Sequence, residues 1–203
     1  MNNTKYIYFF RHGETNLNVE EIVMGQNKNL ITTFTEKGYE QIEELAHNLI
    51  KYSIEIIYCS DMQRCIDTAT IANKDSVLPV IISEEIRGLN MGILQGQRIS
   101  NFSNNEYSKD SFNDHNIPFK NGESINQLNF RIINFIKNIY ENSNYNHIAV
   151  ITHSAAISNL VSYLMNEKYV SYDSCFVEVI NGNINLLQYS NSKNKKIILR
   201  KKF

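Results

Sequence analysis

The chain has 203 residues, with 20 Lys and Arg against 21 Asp and Glu, so its formal net charge is −1. Hydrophobic residues make up 42% and charged residues 20%, which supports one large core and argues against a disordered chain. Near-neutrality disfavours a general nucleic-acid binder, and no run reaches the roughly 18–20 apolar residues that span a bilayer. Cys59, Cys65 and Cys175 are too few and too scattered for a disulfide scaffold. The apolar run Tyr6–Phe10 is too short for a secretory h-region, so the expected compartment is the reducing cytoplasm. No Pro- or Gly-rich linker and no repeat divides the chain, which reads as one domain over residues 1–203.

Tyr6–Phe10 is continuously apolar and aromatic, the pattern of a parallel strand buried on both faces. Thr35 can cap a helix in which Ile42, Leu45, Ala46 and Leu49 recur at helical spacing. Ile54–Cys59 predicts a second buried strand, the stretch from Asp61 through Ile66 and Ala69 a helix, and Leu78–Ile82 a third strand. Residues 98–121 are polar, with scattered Phe102, Tyr107, Phe112 and Phe119 and no clean period. From Glu123, the steps Ile125, Leu128, Ile132, Phe135 and Ile139 give the clearest helix in the chain. His147–Thr152 predicts a fourth strand and Ala155–Met165 a helix. Cys175–Ile180 and Asn183–Tyr189 flank Asn181-Gly182, a hairpin signal. Alternating strands and helices predict an α/β fold, a three-layer α/β/α sandwich around a mixed, mainly parallel sheet.

In such folds ligands bind outside the carboxyl ends of the strands. Three of these ends carry chemistry. The first strand runs into Arg11-His12-Gly13-Glu14-Thr15, the second into Ser60-Asp61-Met62-Gln63-Arg64, and the fourth into Thr152-His153-Ser154. If the strands are parallel neighbours, two guanidiniums and two imidazoles meet at one rim. Such a group needs an anion, and Arg matches phosphate oxygens with paired donors. Gly13 would let the backbone approach a bound group, and a neutral imidazole can attack phosphorus. The pattern points to a phosphoryl pocket.

A single Arg-His at a strand end is more often structural than catalytic, but three coincident ends would each need a separate explanation. His47, His115 and His147 lack such placement. Cys59 and Arg64 are separated by four residues, one short of a cysteine-phosphatase loop. There is no Gly-x-Ser-x-Gly elbow, no Gly-x-x-x-x-Gly-Lys loop and no convincing metal-ligand spacing. The lysine-rich C-terminus reads as a solvated tail or an edge strand.

These motifs resemble the histidine phosphatase superfamily, the phosphoglycerate mutase-like group. The resemblance rests on Arg11-His12-Gly13-Glu14-Thr15 followed by Asn18, on Gly25, and on Thr35 through Gln41. It continues through Ser60, Arg64, Thr68 and Ala69, then Gly122-Glu123-Ser124 with Arg131, and Val150-Ile151-Thr152-His153. It implies that His12 is the nucleophile and that Arg11, Arg64 and His153 bind the phosphoryl oxygens. Asn18, Gly25, Thr15 and Ser154 would line the substrate pocket. No metal or other cofactor is implied.

The family's usual acid glutamate falls at Gly88, four residues before Gly92, so the proton donor is open between Glu85, just upstream, another acid and water. The expected activity is a metal-independent phosphomonoesterase acting on a small phosphorylated metabolite through a phosphohistidine. Residues 98–121 would form its specificity lid. No nucleic-acid or membrane partner is expected, and oligomeric state stays open. Two alternatives remain at this point: a cofactor-dependent phosphoglycerate mutase, and a phosphate-ligand binder that has lost its acid.

Overall fold

The aromatic run near the N-terminus is strand β1 (Lys5–Arg11), in the interior of a six-stranded sheet. The computed structural model describes residues 5–104, 106–166, 185–189 and 197–201. Thr15 and Asn18 form a capping box on the short helix α1 (Asn16–Val19). Thr35 caps α2 (Glu36–Lys51), its hydroxyl accepting from the Gly38 N–H at 3.0 Å, as the sequence predicts. Next come β2 (Ile56–Ser60), α3 (Gln63–Ala72) and β3 (Val80–Ser83). Two 3₁₀ turns follow, Glu84–Ile86 and Gly92–Leu94. A 3₁₀ segment at Ile99–Asn104 precedes α4 (Glu106–Asn113) and α5 (Ile125–Asn142). The remaining elements are β4 (His147–Thr152), α6 (Ser154–Asn166), β5 (Asn185–Tyr189) and β6 (Ile197–Lys201).

The strand order is β3-β2-β4-β1-β5-β6. The first four strands run parallel, while β5 pairs antiparallel with β1 and β6 antiparallel with β5. The sheet is therefore mixed and mainly parallel, as expected. Successive side chains of a strand point to opposite faces. Ile7 and Phe9 of β1, with Ile148 and Val150 of β4, join Leu128, Ile132 and Phe135 of α5 and Ile157 and Leu160 of α6. Tyr8, Phe10, Ala149 and Ile151 face the other way, onto Ile42, Leu45 and Leu49 of α2 and Cys65 and Ala69 of α3. Two cores on opposite faces of one sheet make the three-layer sandwich.

The differences from expectation are local. β3 starts at Val80 rather than Leu78, because both backbone groups of Leu78 bond to the Asn73 side chain. Pro79 has no N–H for the ladder, but its carbonyl accepts from Ile57. As an edge strand β3 leaves Val80, Ile81 and Ile82 about half exposed. Residues 98–121 hold α4 where no period was legible. Phe112 and Phe119 stack edge-to-face at 5.0 Å, and Phe119 is fully buried in the α5 core. The expected hairpin's first arm and its Asn-Gly turn lie outside the described residues. Its second arm contains β5, and Arg200 and Lys201 lie in the edge strand β6. No described helix is long and apolar enough to cross a membrane.

Candidate active site

The register puts the three carboxyl ends side by side. Arg11 pairs with Thr152 across β1 and β4, and Cys59 pairs with Ile151 across β2 and β4. The His12 N–H prolongs the first ladder by donating to the Thr152 carbonyl at 3.1 Å. Arg64 stands in the first turn of α3, just beyond β2, and His153 stands between β4 and α6. The polar groups flanking the apolar runs must therefore converge once the strands pair.

Arg64 organises the cluster. Its Nε donates to His12 Nε2 at 3.2 Å, and its Nη2 donates to the Gly25 carbonyl at 2.8 Å and to His153 Nδ1 at 3.0 Å. The two imidazoles meet edge-to-face with centroids 5.4 Å apart. His12, Arg64 and His153 are 2%, 5% and 4% exposed, so the cluster is screened from solvent.

A guanidinium cannot accept a hydrogen bond, so its partners must be lone pairs. His12 Nε2 is therefore unprotonated, and its Nδ1–H donates to the Gly13 carbonyl at 2.8 Å. His153 Nδ1 is likewise unprotonated, and its Nε2–H donates to Ser60 Oγ at 3.0 Å. Both rings are neutral. Burial, followed by the charges of Arg64 and Arg11, pushes the His12 pKa well below the usual imidazole range. Burial, then Arg64, His12, Arg11 and Arg131, does the same to His153. Burial first and Arg64 second lower the Arg11 pKa to about 10, which places a second cation beside the cluster. The arrangement presents a neutral nitrogen lone pair among guanidinium donors, the electrostatics a phosphoryl group requires.

The sequence-predicted residues divide into groups. Arg11, His12, Arg64 and His153 come together. Gly25 joins them through its carbonyl, in a left-handed conformation (φ +49°) where a Cβ would overlap the Gln95 side chain. Thr15 is fully buried and caps α1, its N–H and hydroxyl reaching Asn18 Oδ1 at 3.0 and 3.1 Å. That leaves the Asn18 amide nitrogen as the end able to donate to an anion. Ser154 is the first residue of α6, directly after His153. Glu85 stands apart: its side chain is exposed, its N–H is capped by Ser83 Oγ, and its carbonyl is held by Arg131. Gly88 packs against the imidazole, and a Cβ there would lie 3.1 Å from both Cβ and Cγ of His153.

Gly13 is also small for a reason the sequence did not show. A Cβ on Gly13 would lie 2.9 Å from the Gly38 carbonyl oxygen and from Ile42 Cδ1. Its small size serves the packing of α2.

Other residues support the site without having been assigned a role from sequence. Thr68 Oγ1 accepts from the Gly13 N–H and donates to the Arg64 carbonyl, tying the His12 loop to α3. Arg131 donates to the carbonyls of Glu85, Arg87 and Gly88 and pairs with Glu123 at 2.6 Å. Gln26 Nε2 joins the same latch through the Gly88 carbonyl and Glu123. Asp61 is clamped by Arg87 and Lys28, which hold its carboxyl down at about 2. Ser60, Thr68, Glu123 and Arg131 lie inside the motifs quoted above. Gln26 had no sequence signal. Among the described residues no group of three His, Cys, Asp or Glu side chains is arranged to hold a metal.

The sequence profile of the histidine phosphatase superfamily (branch 1) matches residues 7–200. The chain belongs to that superfamily. It is 29% identical over 163 residues to the adenosylcobalamin/alpha-ribazole phosphatase of Escherichia coli (strain K12), covering 78% of each protein. It is 25% identical over 191 residues to a protein of Enterobacter sp. (strain 638) named as a probable phosphoglycerate mutase, covering 92% of this chain and 86% of that one. The crystal structure of the alpha-ribazole phosphatase from Shigella flexneri superposes with a TM-score of 0.79 at 25% identity, over 97% of this chain and 95% of that one. As a histidine phosphatase superfamily member the chain keeps the Arg-His signature, at the sheet rim where its Arg64 and His153 converge.

Proposed function

We propose that the protein is a phosphomonoesterase acting on a small phosphorylated metabolite, with His12 as its nucleophile. The observation that carries this reading is the neutral His12 Nε2 lone pair, 3.2 Å from Arg64 Nε inside a water-screened cluster of cations. His12 Nε2 attacks phosphorus in line as the phosphorus–oxygen ester bond breaks. Arg64 turns its N–H groups from the imidazoles to the phosphoryl oxygens, where Arg11 and His153 join it. Asn18, Gly25 and Ser154 border the same pocket, with Thr15 holding Asn18 in place.

The leaving oxygen takes a proton from Glu85, another acid or water. Water then attacks the phosphohistidine, releasing inorganic phosphate and restoring neutral His12. The arginines supply the positive charge, so no metal is invoked. A relative named as an alpha-ribazole phosphatase supports hydrolysis of a small phosphate monoester. We also read residues 1–203 as one domain in a reducing cytoplasm, in keeping with the free thiols of Cys59 and Cys65.

The test is hydrolysis of an aryl phosphate with EDTA present. Wild-type protein is expected to turn over, and His12→Ala to lose activity to background. Wild-type turnover by His12→Ala would overturn the mechanism. The relative named as a probable phosphoglycerate mutase supports a second reading. A coupled assay with 2,3-bisphosphoglycerate separates the two, since isomerisation exceeding hydrolysis would establish the mutase.

A further inference from the structure

We propose that Ser60 is a positioning residue for His153: its hydroxyl accepts the Nε2–H and so holds the tautomer whose bare Nδ1 faces Arg64 and the phosphoryl cleft. The geometry is independent of the reaction, while the catalytic consequence rests on the phosphatase reading above.

Ser60 is the last residue of β2 and is fully buried. Its Oγ lies 3.0 Å from His153 Nε2 and 3.4 Å from the Met62 N–H. Among the described residues Cys65 Sγ also lies near Nε2, at 3.5 Å, and a thiol is a weak acceptor. Its S–H is directed at the Thr152 carbonyl, 3.6 Å away. Without the Ser60 oxygen, Nε2–H would be a buried donor with a poor partner. Moving the hydrogen to Nδ1 would relieve Nε2 but set N–H against the N–H of Arg64 Nη2, so Ser60 and Arg64 hold the tautomer from opposite sides of the ring.

The charged and titratable groups facing His153 are Arg64 and Cys65 from α3, His12 and Arg11 from β1 and its end, and Arg131 from α5. All the charged ones are cations, so His153 stays neutral until an anion arrives. A phosphoryl dianion that takes up the Arg64 donors frees Nδ1 to accept a proton and to donate it to a phosphoryl oxygen. Ser60 accepts from Nε2–H in both states, so it stabilises the imidazolium that the bound anion calls for.

The tautomer is read directly from long-range proton–nitrogen NMR of protein labelled with 15N-histidine, in phosphate-free buffer. The wild-type spectrum is expected to show hydrogen on Nε2 of His153, assigned by comparison with His153→Gln. Ser60→Ala is expected to shift it toward Nδ1. The same variant should lose roughly tenfold to hundredfold in kcat on an aryl phosphate. The alkaline limb of its kcat–pH profile should move to lower pH, and Ser60→Thr should restore both tautomer and profile. Hydrogen on Nδ1 in the wild type would overturn the proposal, whether or not any variant folds. So would Ser60→Ala with a wild-type tautomer, or with a changed tautomer and wild-type kinetics. Failure of the phosphatase reading itself would show separately, as unchanged turnover by His12→Ala.

Discussion

Arg64 spends its donors on two imidazoles and one carbonyl, the same donors that a phosphoryl group would claim. Substrate therefore exchanges one set of acceptors for a better-charged one, and the residue matters more to turnover than to folding. Two charge-assisted bonds lost from the transition state amount to ~3–6 kcal/mol, about 10²–10⁴ in kcat/KM. Arg64→Ala is expected to show that loss with a melting temperature near wild type, because the buried repulsion from Arg11 disappears with it. Equal loss of stability and activity would make Arg64 a structural residue. Glu85 gives a contrasting case. Its exposed side chain and latched backbone predict that Glu85→Gln stays within about twofold of wild type on aryl phosphates, whose leaving groups need little protonation. A collapse by this variant on alkyl phosphates alone would identify Glu85 as the acid that Gly88 does not provide.

Between elements, the contacts that place the site are mostly ones that a motif does not describe. Gly13 and Gly38 let the His12 loop and α2 touch through their backbones, and a Cβ on Gly38 would overlap the Glu14 carbonyl oxygen. Gly38→Ala is expected to lower stability more than Gly13→Ala, because a Cβ on Gly38 would run much deeper into a backbone carbonyl oxygen than one on Gly13, which would lie 2.9 Å from its nearest neighbours. Overpacking of this kind costs ~1–3 kcal/mol, readable in urea unfolding. Arg131 fastens the segment before Gly88 through three main-chain carbonyls and Glu123, with both ionic partners largely buried. Arg131→Met should cost ~3–5 kcal/mol, and the double variant with Glu123→Gln should cost less than the sum of the singles. A strictly additive cycle would mean that the pair does not act as a unit. These features also explain what the sequence left unread. α5 was legible because Ile125, Leu128, Ile132 and Phe135 face one core at helical spacing. α4 was not, because Phe102, Phe112 and Phe119 are anchors from separate segments. The latch was illegible for another reason: Arg131's carbonyl partners belong to the backbone, so no pattern of side chains announces them.

Across the whole molecule, the sheet gathers two arginines and two histidines at one rim, and it can do so only with the imidazoles uncharged. That much was legible, since each group directly follows or flanks an apolar strand run. The tautomers were not, because they depend on Arg64 on one side of each ring and on Ser60 and the Gly13 carbonyl on the other, which only the folded rim brings within reach. Keeping two histidines neutral ties stability to pH. In the unfolded chain both take up protons as pH falls through about 6.5, the ordinary value. In the folded chain their pKa values are well below that, so the unfolded state binds more protons and is stabilised relative to the folded one as pH drops. Stability should be fully present above about pH 7 and fall from pH 6.5 downward, by at most ~1.4 kcal/mol per pH unit for each histidine. Between pH 6.5 and 5 most carboxylates remain ionised, and Asp61, held near 2, does not contribute. His115, also lowered by burial, adds in the same direction. Urea unfolding at pH 7, 6 and 5 in phosphate-free buffer measures the slope. His153→Gln is expected to remove about half of the contribution from the pair. Inorganic phosphate is expected to flatten the curve, because a bound anion lets the folded His153 imidazole take up a proton. A stability that is level between pH 6.5 and 5 would mean that the rim histidines already carry charge, and His12 would then lack the lone pair its proposed attack on phosphorus requires.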